Sequence, residues 1–189
     1  MGHTILGEAG LRRQVWLGVL IVASMALTTW FACITPFVAF GVIAATTLSR
    51  RDAVVLTIAA WLANQIVGFA VLHYPWTTNS VVWGIAIGAA AVVATVTSQQ
   101  VAGRLHVRSL VQALAGFAAA FVTYELVLYT VAAAILGGAS AFAPRVVGQV
   151  LLVNVTALIV LYGLNQFAIA AGLLGSRHRS LPTPSVPFA

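Results

Sequence analysis

Charge is what this chain has least of. Asp, Glu, Lys and Arg together make up 6% of it, against 61% hydrophobic residues and a mean hydropathy of +1.04. Soluble domains carry about 25% charged residues, so this composition does not make a water-facing surface. Most of the 189 residues are therefore expected to lie in a bilayer. Lysine is absent, and all nine basic residues are arginine. With so much Ala and Val, that bias fits a GC-rich bacterial genome and hence a bacterial inner membrane. The single cysteine, Cys33, excludes an intramolecular disulfide. The `ACIT` around it lacks the Leu that precedes a lipobox cysteine, so lipidation is not expected.

Other absences narrow the chemistry. There is no Gly-Lys-Ser/Thr phosphate loop, so any use of ATP must come from a partner. His3, His106 and His178 are expected on one side of the membrane and His73 on the other, which leaves no facing pair for a bis-His haem. No Cys/His/carboxylate cluster suggests a metal. Neither paired intramembrane acids nor a Ser/His/Asp set nominates a catalytic centre. No cofactor and no enzymatic activity are expected. Nucleic-acid binding is rejected despite the formal charge of +6, because the arginines sit at span ends, where they meet lipid headgroups.

What is present is a series of apolar runs. Breakers and charges divide the chain into six segments, roughly 15–33, 36–48, 53–72, 81–98, 109–137 and 146–174. The expected fold is all-α, a polytopic integral membrane protein of six transmembrane helices in a single domain, 1–174. The first run could pass for a signal peptide, but it has no small-x-small cleavage site and is expected to be retained. The second segment is short and opens at Pro36, whose fixed φ suits a helix start. If 15–48 is a hairpin, Arg12, Arg13, Arg50, Arg51, Arg104, Arg108, Arg177 and Arg179 share one side and only Arg145 lies on the other. The positive-inside rule then places both termini in the cytoplasm. The Ser/Pro-rich stretch 175–189 is expected to be a disordered cytoplasmic tail.

In that orientation three short loops face outward, around Cys33–Pro36, His73–Ser80 and Gly138–Arg145. The stretch `WLANQIVGFAVLHYPWTTN` leads into the middle one and concentrates the polar chemistry. Trp61, Asn64, Gln65, Gly68 and Leu72 follow i, i+3, i+4, i+7, i+11 spacing, which sets both amides on one helical face. Such a face must turn into the bundle, because an unpaired amide in hydrocarbon is costly. It serves either helix packing or a ligand. His73, Tyr74, Trp76 and Asn79 follow at the mouth, where Tyr and Trp also form ordinary interfacial belts. Trp83 opens the fourth segment ahead of Gly84 and Gly88, whose GxxxG spacing allows close helix approach.

Glu125 is the one acid inside a segment, with Tyr129 one turn further out on its face. An intramembrane carboxylate faces a partner or a cavity, and no Arg lies at its expected depth. Asn154 and Asn165 share a face of the sixth segment. At about 1.5 Å per residue, Asn64 and Asn154 sit roughly 10–12 Å below the outer boundary and Glu125 roughly 18 Å below it. The candidate ligand contacts are thus Asn64, His73, Tyr74, Trp76, Asn79, Trp83, Glu125, Tyr129 and Asn154, arranged as a cup.

Six short helices, small-residue packing faces and a polar outer cup resemble the substrate-binding S subunits of energy-coupling-factor vitamin transporters. The run `PFVAFGVIAATTLSRRDAVVL`, followed by `WLANQIVGF`, `YPW` and `WGIAIG`, is similar to members of that group. The first segment departs from the group's pattern, since it has no AxxxA copy for docking; Ala59/Ala63 and Ala86/Ala90 have the spacing but lie in later helices. The resemblance implies capture of a vitamin-like small molecule from outside. The aromatic side chains would stack on a heterocycle, and a separate coupling transmembrane subunit with ATPase subunits would drive uptake. A small scaffold subunit of a larger membrane complex, and an ion-coupled carrier built on Glu125, are the competing readings. A cup requires the polar faces to converge on one cavity. A scaffold requires the amides to be spent on packing with no void between them.

Overall fold

The computed structural model describes residues 14–15, 18–19, 35–105 and 109–170; of Ser109 and Ala139 only the backbone is described. Most of the expected first span, Cys33, both termini and the tail 175–189 lie outside the described residues. Among those described the structure is all-helical, with no strand. Five α-helices follow one another: α1 Phe37–Thr47, α2 Arg50–Ile66, α3 Thr78–Arg104, α4 Ser109–Val131 and α5 Pro144–Ala170. The last turns of α2 and α4 widen into π-helix over Val67–Val71 and Ala132–Leu136. A 3₁₀ turn, Ala139–Phe142, leads into α5.

Four helices, Arg50–Val71, Thr78–Arg104, Leu110–Leu136 and Pro144–Ala170, are long and apolar enough to cross a membrane. Their outward faces carry large exposed apolar side chains, among them Val55, Leu62, Ile66, Ile85, Leu126, Leu152 and Ile159. Their inward faces mix Ala, Gly, Ser and Thr with a few large side chains, among them Leu56, Phe117, Tyr124, Leu128, Leu158 and Leu161. Hydrophobicity does not separate inside from outside when the surroundings are themselves apolar, so close contact between small residues has to hold such helices together.

The fifth helix is of a different kind. At eleven residues α1 is about 16 Å long, roughly half the thickness of a bilayer core. Phe37 to Ala44 are all buried, because α1 packs against each of the four long helices. A helix apolar on every side belongs in a core, and `FVAFGVIAATT` has no polar face to give it an outside. Pro36 precedes the helix as its N-cap, and Leu48 ends it in extended backbone. Gly41 makes the packing fit: a Cβ there would collide with the Thr95 hydroxyl of α3.

Two element starts lie before the expected boundaries. α2 begins at Arg50 rather than 53, because the Ser49 hydroxyl accepts the Asp52 N–H at 3.3 Å and donates to its carboxylate at 2.7 Å. Ser49 is thus an ordinary side-chain N-cap, held in place by the Asp52 carboxylate. α3 begins at Thr78 rather than 81, capped by Thr77, whose Oγ1 accepts the Ser80 N–H at 3.2 Å. Both starts are polar, so a hydropathy profile begins the helix one turn late.

Candidate functional site

The chain order places Arg50, Arg51 and Arg104 at one end of the bundle and Arg145 at the other. The second end holds a cavity of about 240 Å³. Six elements supply its wall. Thr35 and Phe37 come from the start of α1, Asn64 from α2, Trp83 and Ile87 from α3, Tyr124, Glu125 and Leu128 from α4. Ala141, Phe142, Val146, Val147 and Val150 come from the 3₁₀ turn and α5.

The position of α1 makes this cavity. The Thr35 hydroxyl donates to the Asn64 side-chain oxygen at 2.6 Å. Asn64 lies seven residues before the end of the α2 π-turn, so α1 starts about 10 Å inside the bundle. The segment around Pro36, expected in an outer loop, is instead at the depth of the amide layer. Non-helical backbone at such a depth is tolerated where protein buries it or where it lines a cavity, and Thr35 does the second.

The free N–H groups at the start of α1 need acceptors. Asn154 supplies one from α5. Its side-chain oxygen accepts the Ala39 N–H at 3.2 Å, and its NH₂ donates to the Val150 carbonyl at 2.9 Å. With 1% exposure and both polar atoms engaged, Asn154 belongs to the packing of α1 and is not in the cavity wall.

Glu125 is in the wall, half-buried, on a helical face adjoining the one that buries Phe117, Ala120, Tyr124 and Leu128. Among the described residues its carboxyl makes no hydrogen bond or ion pair, and the cavity lining contains no Arg, Lys or His. Tyr124 is buried beside it, with a hydroxyl that likewise has no partner among the described residues. Trp83 presents its indole to the cavity, and Gly138 lets the α4–α5 connection pass close over that ring, where a Cβ would come to 3.3 Å.

The outer aromatic group is arranged differently. His73, Tyr74, Trp76 and Asn79 are all exposed and none lines the cavity. Trp76 lies over Phe69 with ring centroids 4.4 Å apart, and Tyr74 meets the same ring edge-on at 6.2 Å. His73 turns the chain with a left-handed φ of 55°, and Tyr74 folds back over Gly68, where a Cβ would stand 2.9 Å from its ring. This is a self-packed cap on the end of α2. Tyr129 is outside the wall as well, but its ring braces Phe142 edge-on at 5.4 Å, and Phe142 is in the wall.

Of the nine nominated residues, then, the structure gathers Asn64, Trp83 and Glu125 around one cavity. Four others form the rim, Tyr129 supports a wall residue, and Asn154 holds the central helix. Two further residues of the amide face, Trp61 and Gln65, pack α2 on α3. The Trp61 indole N–H donates to the Gly84 carbonyl at 2.8 Å, and its ring fills the space a Cβ at Gly88 would need. Gln65 lies against Gly84.

Comparison with protein-family models, with curated proteins and with solved structures gives no match. The site therefore stands on its own geometry. Sequence reasoning missed Thr35, Phe37, Tyr124 and Phe142. Only Tyr124 had a usable signal, as an aromatic next to the one intramembrane acid and in helical register with Phe117 and Leu128. The others depend on where α1 begins and on how the α4–α5 connection folds inward.

Proposed function

We propose that the chain is a membrane-embedded capture subunit for a small molecule, with six transmembrane segments and both termini in the cytoplasm of a bacterial cell. Its cavity would open outward and take a vitamin-like ligand, and a separate coupling transmembrane subunit with ATPases would energise release inward. One observation carries this reading: Asn64, Trp83 and Glu125, from three different helices, face a single cavity where a buried half-length helix begins. The half-helix supports it too. Irregular backbone at mid-depth that opens onto a cavity is a recurrent way of building binding sites in transport proteins.

The scaffold reading has a specific observation of its own, since Trp61, Asn154 and the Thr57–Thr95 pair spend their polar groups on helix packing. The two readings part at Glu125. A scaffold has no use for an unpaired carboxyl beside a void, whereas a capture subunit needs both. Native mass spectrometry of the protein purified in mild detergent tests this directly. A stoichiometric small molecule that is lost in Trp83→Ala and Asn64→Ala is the expected result. A second integral membrane protein retained at fixed stoichiometry, with no small molecule, would replace capture by scaffolding.

A further inference from the structure

The geometry points to a small organic cation as the ligand of this cavity, its charge set against Glu125 and its body among Phe37, Trp83, Tyr124 and Phe142. This assignment rests on the capture reading and goes further, to the chemical class of what is captured.

The balance of charge comes first. Glu125 is the only ionisable group of either sign in the wall besides the Tyr124 phenol, and no cationic side chain of the described residues approaches it. A carboxylate removed from water without a partner is costly, and proteins keep one at depth where something pairs with it. Among the described residues the protein does not supply that pair, and a cationic ligand would.

The wall also favours such a ligand. Its four aromatic side chains come from four separate parts of the chain: the start of α1, α3, α4 and the 3₁₀ turn. Aromatic faces carry negative quadrupole potential, and several around one site form the usual cage for ammonium and related cations. An anion would meet that potential and the carboxylate together.

One feature of the wall favours the opposite sign. The N-terminus of α1 carries about half a positive charge. It does not decide the outcome, because the Asn154 oxygen already accepts the Ala39 N–H and half a unit is outweighed by a whole carboxylate. Polarity and size refine the class. The Asn64 NH₂ and the Tyr124 hydroxyl make no hydrogen bond among the described residues, so they can donate to a ring nitrogen or an oxygen. A volume of about 240 Å³ is below the range of about 300–1,000 Å³ typical of drug-sized ligands. The ligand is accordingly a one-ring amine or quaternary ammonium rather than a flavin or a dinucleotide.

Three one-ring probes of different charge test this by calorimetry on the full-length protein in detergent: benzyltrimethylammonium, benzyl alcohol and phenylacetate. The expected result is saturable one-to-one binding of the cation, at least tenfold tighter than either competitor. Glu125→Gln should weaken the cation at least tenfold and leave benzyl alcohol unchanged, with the variant's fold checked by circular dichroism. Phe142→Ala, which leaves the carboxylate in place, should weaken the cation several-fold and serves if Glu125→Gln does not fold. Tighter binding of phenylacetate or benzyl alcohol, abolished by Trp83→Ala, would overturn the cation and leave capture standing. Cation binding indifferent to both Glu125→Gln and Phe142→Ala would overturn the assignment as well. Saturable binding of none of the three would overturn the cation and capture together.

Discussion

Asn64 and Asn154 are the same residue type at about the same depth, and they have opposite fates. Asn154 faces the buried start of α1 and closes both of its polar atoms on backbone groups. Asn64 faces the cavity and closes its oxygen on Thr35, leaving its NH₂ without a partner among the described residues. The same contrast runs through the bundle. At the contact of α2 with α3, the Thr57 and Thr95 hydroxyls bond their own helices at 2.9 Å and lie 3.1 Å from each other. Around Glu125 and Tyr124 no such closure occurs among the described residues. Polar residues inside an apolar bundle thus do two jobs, and the test that separates them is whether the hydrogen bonds end within the protein.

The largest expected effect breaks the closed side of this contrast. Gly41→Val would drive a side chain into Thr95 from a helix buried on every side. Overpacking costs typically about 1–3 kcal/mol, here at the upper end, and detergent-solubilised Gly41→Val should unfold well below wild type on thermal scanning. Asn154→Ala comes next. It strands the Ala39 N–H in the core, a loss of about 1–3 kcal/mol. Asn154→Asp, which keeps an acceptor in place, should recover part of that loss. Asn64→Ala, by contrast, should leave the unfolding midpoint near wild type and act on ligand retention. Equal destabilisation by Asn64→Ala and Asn154→Ala would erase the distinction between the two amides.

A finer effect is expected at Ser98. Its hydroxyl is fully buried with no hydrogen-bond partner among the described residues and sits against Gly116 of α4, where a Cβ would come to 2.7 Å. Like Glu125 it has no partner among the described residues, but it lies in a helix–helix seam and not in the cavity wall. Removing an unsatisfied buried hydroxyl relieves part of a desolvation cost of about 1–3 kcal/mol, offset by one lost contact. Ser98→Ala should therefore raise the unfolding midpoint slightly and leave ligand binding unchanged. A fall in the midpoint would show that this hydroxyl has a partner in the folded protein.

The legibility of these features follows from the range of the forces behind them. The helical class and the four long apolar helices were readable because composition and run length are local properties. Glu125 and Asn64 were readable because a polar group inside an apolar run has to be accommodated somewhere. Two things were not local. The depth at which α1 begins depends on Thr35 meeting Asn64, 29 residues away. Whether an amide meets backbone or void depends on contacts such as Ala39 with Asn154, 115 residues apart. The spacing of Asn64 and Asn154 marks both as inward-facing, and nothing in that spacing distinguishes a cap from a wall.

The smallest expected effect concerns Trp76, a nominated ligand contact with one of the least committed positions in the structure. It is 78% exposed, and its one ring contact among the described residues is with Phe69 of the same cap. An aromatic pair of this kind contributes about 0.5–1.5 kcal/mol where it is buried, and less at this exposure. Trp76→Ala should shift the unfolding midpoint by under 0.5 kcal/mol equivalent, the usual range for surface substitutions, and leave the affinity for benzyltrimethylammonium unchanged. Trp83→Ala, seven residues on and in the cavity wall, should lose most of that affinity. The pair gives a clean comparison: two tryptophans at the same end of the bundle, one packed on a loop and the other on the void. If Trp76→Ala weakened binding as much as Trp83→Ala, the cap would have to close over the ligand, and the site would extend from the cavity to the rim.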